Sequence, residues 1–195
     1  MATNTIWKKN LYILSIAVFI AGIAFSEIMP FLPLYVASLG NFSHQELNFW
    51  SGFIYSGMFI ISAITSPWWG KLADKKGRKL MILRASCGMA IAIGAMGLVT
   101  NVYQLFALRC LQGLFAGFVS NSNALIATQT PKEKAGQAMG TMASSVTAGT
   151  LLGPLIGGFL ASVFSYRITF FITGFLLFVT SVSYTHLTLP TILLV

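Results

Sequence analysis

Apolar residues fall into six long stretches, at about 11–34, 48–69, 80–99, 103–126, 138–163 and 167 onward, with short polar segments between them. A helix rises ~1.5 Å per residue, so about 20 residues cross a hydrocarbon core. Each stretch suits a spanning helix. Lipid cannot satisfy backbone N–H and C=O groups, which excludes an open sheet. No low-complexity tract or polar domain interrupts the series, and the pattern predicts one all-α bundle of six transmembrane helices.

Composition agrees. The 195 residues are 56% hydrophobic and 8% charged, against about 25% charged in a soluble domain. Mean hydropathy is +0.80. A soluble enzyme and a disordered chain are both excluded. The net charge of +8 would suggest nucleic acid in a soluble protein, but here position matters more than sum. Lys8, Lys9, Lys71, Lys75, Lys76, Arg78, Lys79, Lys132 and Lys134 lie on one set of alternate loops, and only Arg167 on the other. Basic loops stay cytoplasmic, so the N-terminus is predicted to be cytoplasmic and the bilayer, with its anionic lipid, is the charge's partner.

The first apolar run begins after Lys8-Lys9 but continues well past a signal-peptide core, so it reads as a retained span. Cys87 and Cys110 fall inside apolar runs as reduced packing residues. No HExxH, CxxC, phosphate loop or serine triad appears. Neither an enzyme, a metal site nor a cofactor is expected.

The segment Gly70-Lys71-Leu72-Ala73-Asp74-Lys75-Lys76-Gly77-Arg78-Lys79 sets one acid among five cations. Composition alone reads it as a basic anchor at a helix end. Its glycines permit a tight reversal and close approach of backbones, and Asp74 can pair with Arg78 or cap the start of span 3. The arrangement resembles GxLaDrxGrkxxl, the signature between spans 2 and 3 of the major facilitator superfamily. In that family the aspartate and arginine join a charge network steadying one face of an alternating-access cycle. The resemblance implies a conformational-switch loop of Gly70, Asp74, Gly77, Arg78 and Lys79.

Two further spans carry the same resemblance. Span 4 holds Arg109-Cys110-Leu111-Gln112-Gly113. A charge at membrane depth costs a few kcal/mol, and Arg109 reads either as a snorkelling residue near the outer end or as part of a functional site. RxxQG is similar to the family's span-4 motif, which implies a coupling role for Arg109 and Gln112. Gly113 and Gly117 read as a small-residue contact face. Span 5 holds Gly149, Gly153, Pro154, Gly157 and Gly158. As a stripe this is helix packing, with a proline that bends the helix. As GxxxGPxxGG it resembles the signature of the antiporter branch, and this implies export.

Span 1 contains Glu27, the one acidic residue inside a predicted span, in Ser26-Glu27-Ile28-Met29-Pro30-Phe31-Leu32-Pro33. This resembles the proline-containing element of drug:proton antiporters. At ~1.5 Å per residue, Glu27 lies ~10 Å below the outer boundary and Arg109 ~9 Å below it. Desolvation favours a neutral carboxyl and a nearby arginine favours the charged form. Glu27 is therefore read as a proton or cationic-drug site restrained by Arg109, with a polar inter-helix contact or exposure to outer water as the alternative. Ser120, Asn121, Ser122 and Asn123 read as helix–helix hydrogen bonders or cavity liners. Phe49, Trp50, Trp68 and Trp69 read as an interfacial belt, and His44 as solvated.

The resemblance covers about residues 7–181 and implies the N-terminal half of a twelve-span fold, built from two three-helix inverted repeats. Its partners are then the lipid bilayer, a hydrophobic or cationic small molecule and a C-terminal half of the same transporter, in a bacterial plasma (inner) membrane. The implied activity is multidrug efflux driven by the proton gradient. Export of a sugar or small metabolite, or a transport-inactive partner or sensor, are the other readings. Residues 182–195 have an odd composition for a span, and Val182 to Thr191 back-translate to a sequence similar to a transposase-based sequencing adaptor. Residues 1–181 are expected to be the transporter bundle, 182–195 a non-native tail, and the fragment alone inactive in transport.

Overall fold

The computed structural model describes residues 3–185. It contains α1 (Thr3–Ser26), α2 (Leu32–Ser38), α3 (His44–Lys76), α4 (Arg78–Met96), α5 (Val102–Leu114), α6 (Phe118–Gln129), α7 (Ala135–Val163) and α8 (Tyr166–Thr185), with a 3-10 turn at Lys132–Lys134 before α7. Span 1 is α1 with α2, span 4 is α5 with α6, and the other spans are single helices. Five of these units are long and apolar enough to cross a membrane, and Tyr166–Val182 forms a shorter apolar helix. The predicted tail lies outside the described residues from 186 on, and α8 runs through Thr185.

Two predicted continuous spans are broken. Proline lacks an N–H and its ring crowds the carbonyl four residues earlier. Pro30 therefore denies Ser26 a helical partner, and α1 ends at Ser26. Pro33 is tolerated in the first turn of α2. In span 4 the chain leaves the helix after Leu114 and restarts at Phe118, behind Gly117 with φ of +101°. A Cβ at Gly88 of α4 would collide with the ring of Phe115. The bare backbone of span 3 thus receives the side chain at the break. Gly117 serves through its left-handed backbone and not, as the small-residue reading expects, through a packing face; only Gly113 makes that contact, against the Met58 carbonyl of α3.

The basic segment between spans 2 and 3 is also not a loop. α3 runs through Lys76 and α4 begins at Arg78, so Gly77 alone makes the junction, at φ +87°. At the other end of α3, Ser43 and Glu46 form a capping box: the Ser43 amide donates to the Glu46 carboxylate at 2.8 Å, and the Glu46 amide to Ser43 Oγ at 3.3 Å.

The main seams join α1 to α7, α3 to α5, and α4 to α8. Matching spans 1, 2 and 3 to spans 4, 5 and 6 exchanges the first two seams and returns the third to itself. Each repeat also opens with its broken span. This is the pairing that two inverted three-span repeats require. At the end of the bundle away from the N-terminus, Phe31 and Tyr35 pack on Tyr166 and Phe170, and the Tyr35 hydroxyl donates to the Met96 carbonyl at 2.6 Å.

Candidate functional site

Glu27 is the first residue beyond α1, where the proline break leaves it, and it is 1% exposed. Its Oε2 accepts a hydrogen bond from Thr173 Oγ1 of α8 at 2.8 Å, and its Oε1 has no hydrogen-bond partner. The third side is closed by span 5. A Cβ at Gly153 would strike Ser26 Oγ, and one at Gly157 would lie 2.7 Å from the Glu27 Cβ. The Gly149–Gly153–Gly157 stripe therefore lets α7 reach the backbone around Glu27, as small residues do in membrane seams. Gly158 meets nothing within 4 Å.

Arg109 is fully buried in α5. One Nη1 donates to Gln112 Oε1 at 2.9 Å and lies 3.7 Å from the Met58 sulfur of α3. Three residues on a helix share a face, so RxxQG resolves into a side-chain pair. The Nε and Nη2 atoms have no partner, leaving a buried cation incompletely satisfied, a situation that costs several kcal/mol. Glu27 and Arg109 are near enough for their charges to interact, yet among the described residues the one ion pair is Asp74–Arg78. Each buried charge has its own neutral partner.

A cleft of about 380 Å³ opens between spans 1, 2 and 4 at the break of span 4. Its lining includes Phe25, Met58, Phe59, Phe118, Ser62 and Asn123. Phe25 is two residues from Glu27, and Met58 is the sulfur beside Arg109. Apolar walls with a few polar groups suit a small hydrophobic ligand. Of the polar run in span 4, Ser120 and Asn123 line the cleft, whereas Asn121 Nδ2 donates to the Gly117 carbonyl at 2.8 Å and Ser122 is buried.

The remaining predicted residues lie elsewhere. Arg78 pairs with Asp74 at 2.8 Å across the Gly77 junction, and α4 has no side-chain cap, so Asp74 does not cap it. Gly70 has nothing within 4 Å of where a Cβ would stand. Pro154 sits inside α7, which continues through it. Cys87 and Cys110 are free thiols.

Two residues were not singled out from the sequence. Thr173 looks like one polar residue among many. Arg84, six residues into α4, lies with its Cζ 3.4 Å from the Trp69 ring centroid and donates from Nη2 to the Ala116 carbonyl at 3.2 Å. Its signal was available: it is the second arginine inside an apolar stretch. Trp69 thus supports Arg84, in addition to its place in the aromatic group flanking span 2.

The family model for the Major Facilitator Superfamily matches residues 14–192. The chain belongs to the Major Facilitator Superfamily. It is similar to the multidrug resistance protein MdtG of Dickeya zeae (strain Ech586), with 53% identity over 173 residues, 89% of this chain and 42% of that protein. The MdtG protein of Proteus mirabilis (strain HI4320) is 52% identical over 176 residues, 90% of this chain and 44% of its own length. The chain thus spans about two fifths of the length of these curated relatives. The crystal structure of the human organic anion transporter MFSD10 (TETRAN) superimposes with a TM-score of 0.77 at 18% identity, covering 96% of this chain and 49% of that one. That likeness concerns the fold. These matches place the chain in a family of multi-pass bacterial inner-membrane transporters and not of enzymes, with an architecture consistent with the N-terminal half of the fold.

Proposed function

We propose that this chain forms one wall of a proton-coupled exporter of lipophilic cations, with its N-terminus in the cytoplasm. The observation carrying this reading is Glu27, the one buried acidic residue among the described residues, at the break of span 1 with one carboxylate oxygen unpartnered. An ionised Glu27 attracts a lipophilic cation near the Phe25–Met58–Phe118 cleft; protonation cancels that attraction and releases it. The cycle exchanges one cation for a proton, with the gradient as energy source and no cofactor. Arg109, held by Gln112, opposes a second positive charge and keeps the site closed to a cation unless Glu27 is ionised.

Asp74 and Arg78, across Gly77, serve in this proposal as the cytoplasmic switch, while the Gly149–Gly153–Gly157 stripe lets span 5 move closely against span 1. The similarity to MdtG proteins supports a multidrug substrate range. The other wall comes from a second six-span half, so that this half alone carries no efflux. The test is efflux from proteoliposomes by the full-length transporter carrying this sequence, with Glu27→Gln. Cation export should lose its pH dependence while a neutral substrate is still exported. Unchanged cation export with unchanged pH dependence would overturn the reading.

A further inference from the structure

Thr173 is placed between two acceptors but owns one proton. Its Oγ1 lies 2.8 Å from Glu27 Oε2 and 3.0 Å from the carbonyl oxygen of Thr169, one turn back in α8. A threonine hydroxyl donates once and accepts through its lone pairs. A backbone carbonyl and an ionised carboxylate only accept. Both contacts therefore cannot be made in the same way in both protonation states of Glu27.

We propose that Thr173 is a positioning residue that converts the protonation of Glu27 into a change in the backbone bonding of span 6. When Glu27 is ionised, the Thr173 hydroxyl turns to donate to Oε2 and the Thr169 carbonyl loses its side-chain donor. When Glu27 is protonated, the carboxyl O–H donates to Thr173 Oγ1, and the Thr173 proton goes to the Thr169 carbonyl. No bond other than hydrogen bonds changes, and the one proton taken up stays on Glu27.

The location makes the rotation consequential. Back-bonding from threonine to the carbonyl four residues earlier alters the local helix geometry. Thr169 and Thr173 are both buried, and a Cβ on the adjacent Gly174 would lie 2.9 Å from Gly94 of α4. The rotor thus sits at the tight seam between spans 3 and 6. The charged group acting on Glu27 from a neighbouring helix is Arg109 of α5. α7 contributes no charged residue, and Arg167 of α8 is bound to the Val99 carbonyl at 3.0 Å. The carboxyl–hydroxyl–carbonyl chain therefore responds to Glu27 itself.

This inference rests on Glu27 as the proton site, and its test is independent of transport. Thr169–Phe170 is the single Thr-Phe pair in the sequence, so carbonyl-¹³C threonine with ¹⁵N phenylalanine marks the Thr169 carbonyl alone. Solid-state NMR of the 195-residue chain in lipid bilayers is expected to show that carbonyl resonance shifting as pH is varied. Thr173→Ser, which keeps the hydroxyl, should retain the shift. Thr173→Val and Glu27→Gln should both lose it. A resonance indifferent to pH in the unmodified chain, or one that shifts equally in Thr173→Val, would overturn the proposal. Failure of the efflux test with a preserved NMR titration would remove the transport role of Glu27 and leave the rotor standing.

Discussion

The guanidinium of Arg84 lies over the indole of Trp69, with Cζ 3.4 Å from the ring centroid. This contact ties span 3 to the C-terminal half of span 2, and the same side chain reaches the Ala116 carbonyl that the break in span 4 leaves without a helical donor. A partly desolvated cation–π contact contributes about 0.5–2 kcal/mol, and a hydrogen bond from a charged donor about 1.5–3 kcal/mol. Lysine cannot stack and donate through a planar fork at once. Arg84→Lys should therefore lower the thermal midpoint of the reconstituted chain nearly as much as Arg84→Gln, and Trp69→Leu should lower it by less. Equal midpoints for Arg84→Lys and the unmodified chain would show the stack to be dispensable.

The span-5 glycines divide into Gly149, Gly153 and Gly157, which touch span 1, and Gly136, Gly140 and Gly158, which have nothing within 4 Å of where a Cβ would stand. A side chain at Gly149 meets the Phe19 carbonyl and one at Gly153 meets Ser26 Oγ, whereas Gly158 faces open space. Overpacking a close seam costs about 1–3 kcal/mol. Gly149→Val and Gly153→Val should each destabilise the bundle by roughly that amount, and Gly158→Ala should stay within about 0.5 kcal/mol. Reversible unfolding in mixed micelles measures all three.

The junction of spans 2 and 3 separates backbone need from charge. Gly77 has φ +87° and ψ 145°, a region reached almost only by glycine, where another residue costs about 1–3 kcal/mol. Gly77→Ala should destabilise accordingly. The Asp74–Arg78 pair is partly exposed at both ends, and such pairs contribute roughly 0–1 kcal/mol. Asp74→Asn should leave the unfolding midpoint almost unchanged while efflux by the full-length transporter falls. A large loss of stability in Asp74→Asn would assign the aspartate to folding.

Acidification should loosen the start of α3. The Ser43 amide, and then its side chain, hold the Glu46 carboxyl below its ordinary value of 4.5. A depressed carboxylate stabilises the fold fully above its unfolded pKa, and this contribution is lost as pH falls through the lower folded value. Protection of the Ser43 amide against hydrogen exchange, relative to intrinsic rates, should hold above pH 4.5 and fade below it. In Glu46→Ala the protection should be absent throughout, and its survival there would exclude the capping box as the cause.

Six apolar stretches separated by short polar segments determine that the chain is a helical membrane bundle, because lipid leaves the backbone few ways to satisfy itself. The Asp74–Arg78 pair was legible too, as one acid four residues from an arginine, although the two side chains lie on different helices and meet across the Gly77 junction. So was the glycine stripe, though not its partner. Pro30 carried the end of α1 in plain view: the carbonyl it blocks belongs to Ser26, yet the apolar run continues past it and conceals the break. Depth arithmetic put Glu27 and Arg109 at one level, but depth says nothing about which helices are neighbours. The packing decided that Glu27 meets Thr173, 146 residues away, and that Arg109, paired locally with Gln112, meets Met58 of α3. It also set Arg84 between Trp69 and Ala116. Local spacing acts through bonds along one helix, whereas these contacts arise only when separate helices have chosen their neighbours.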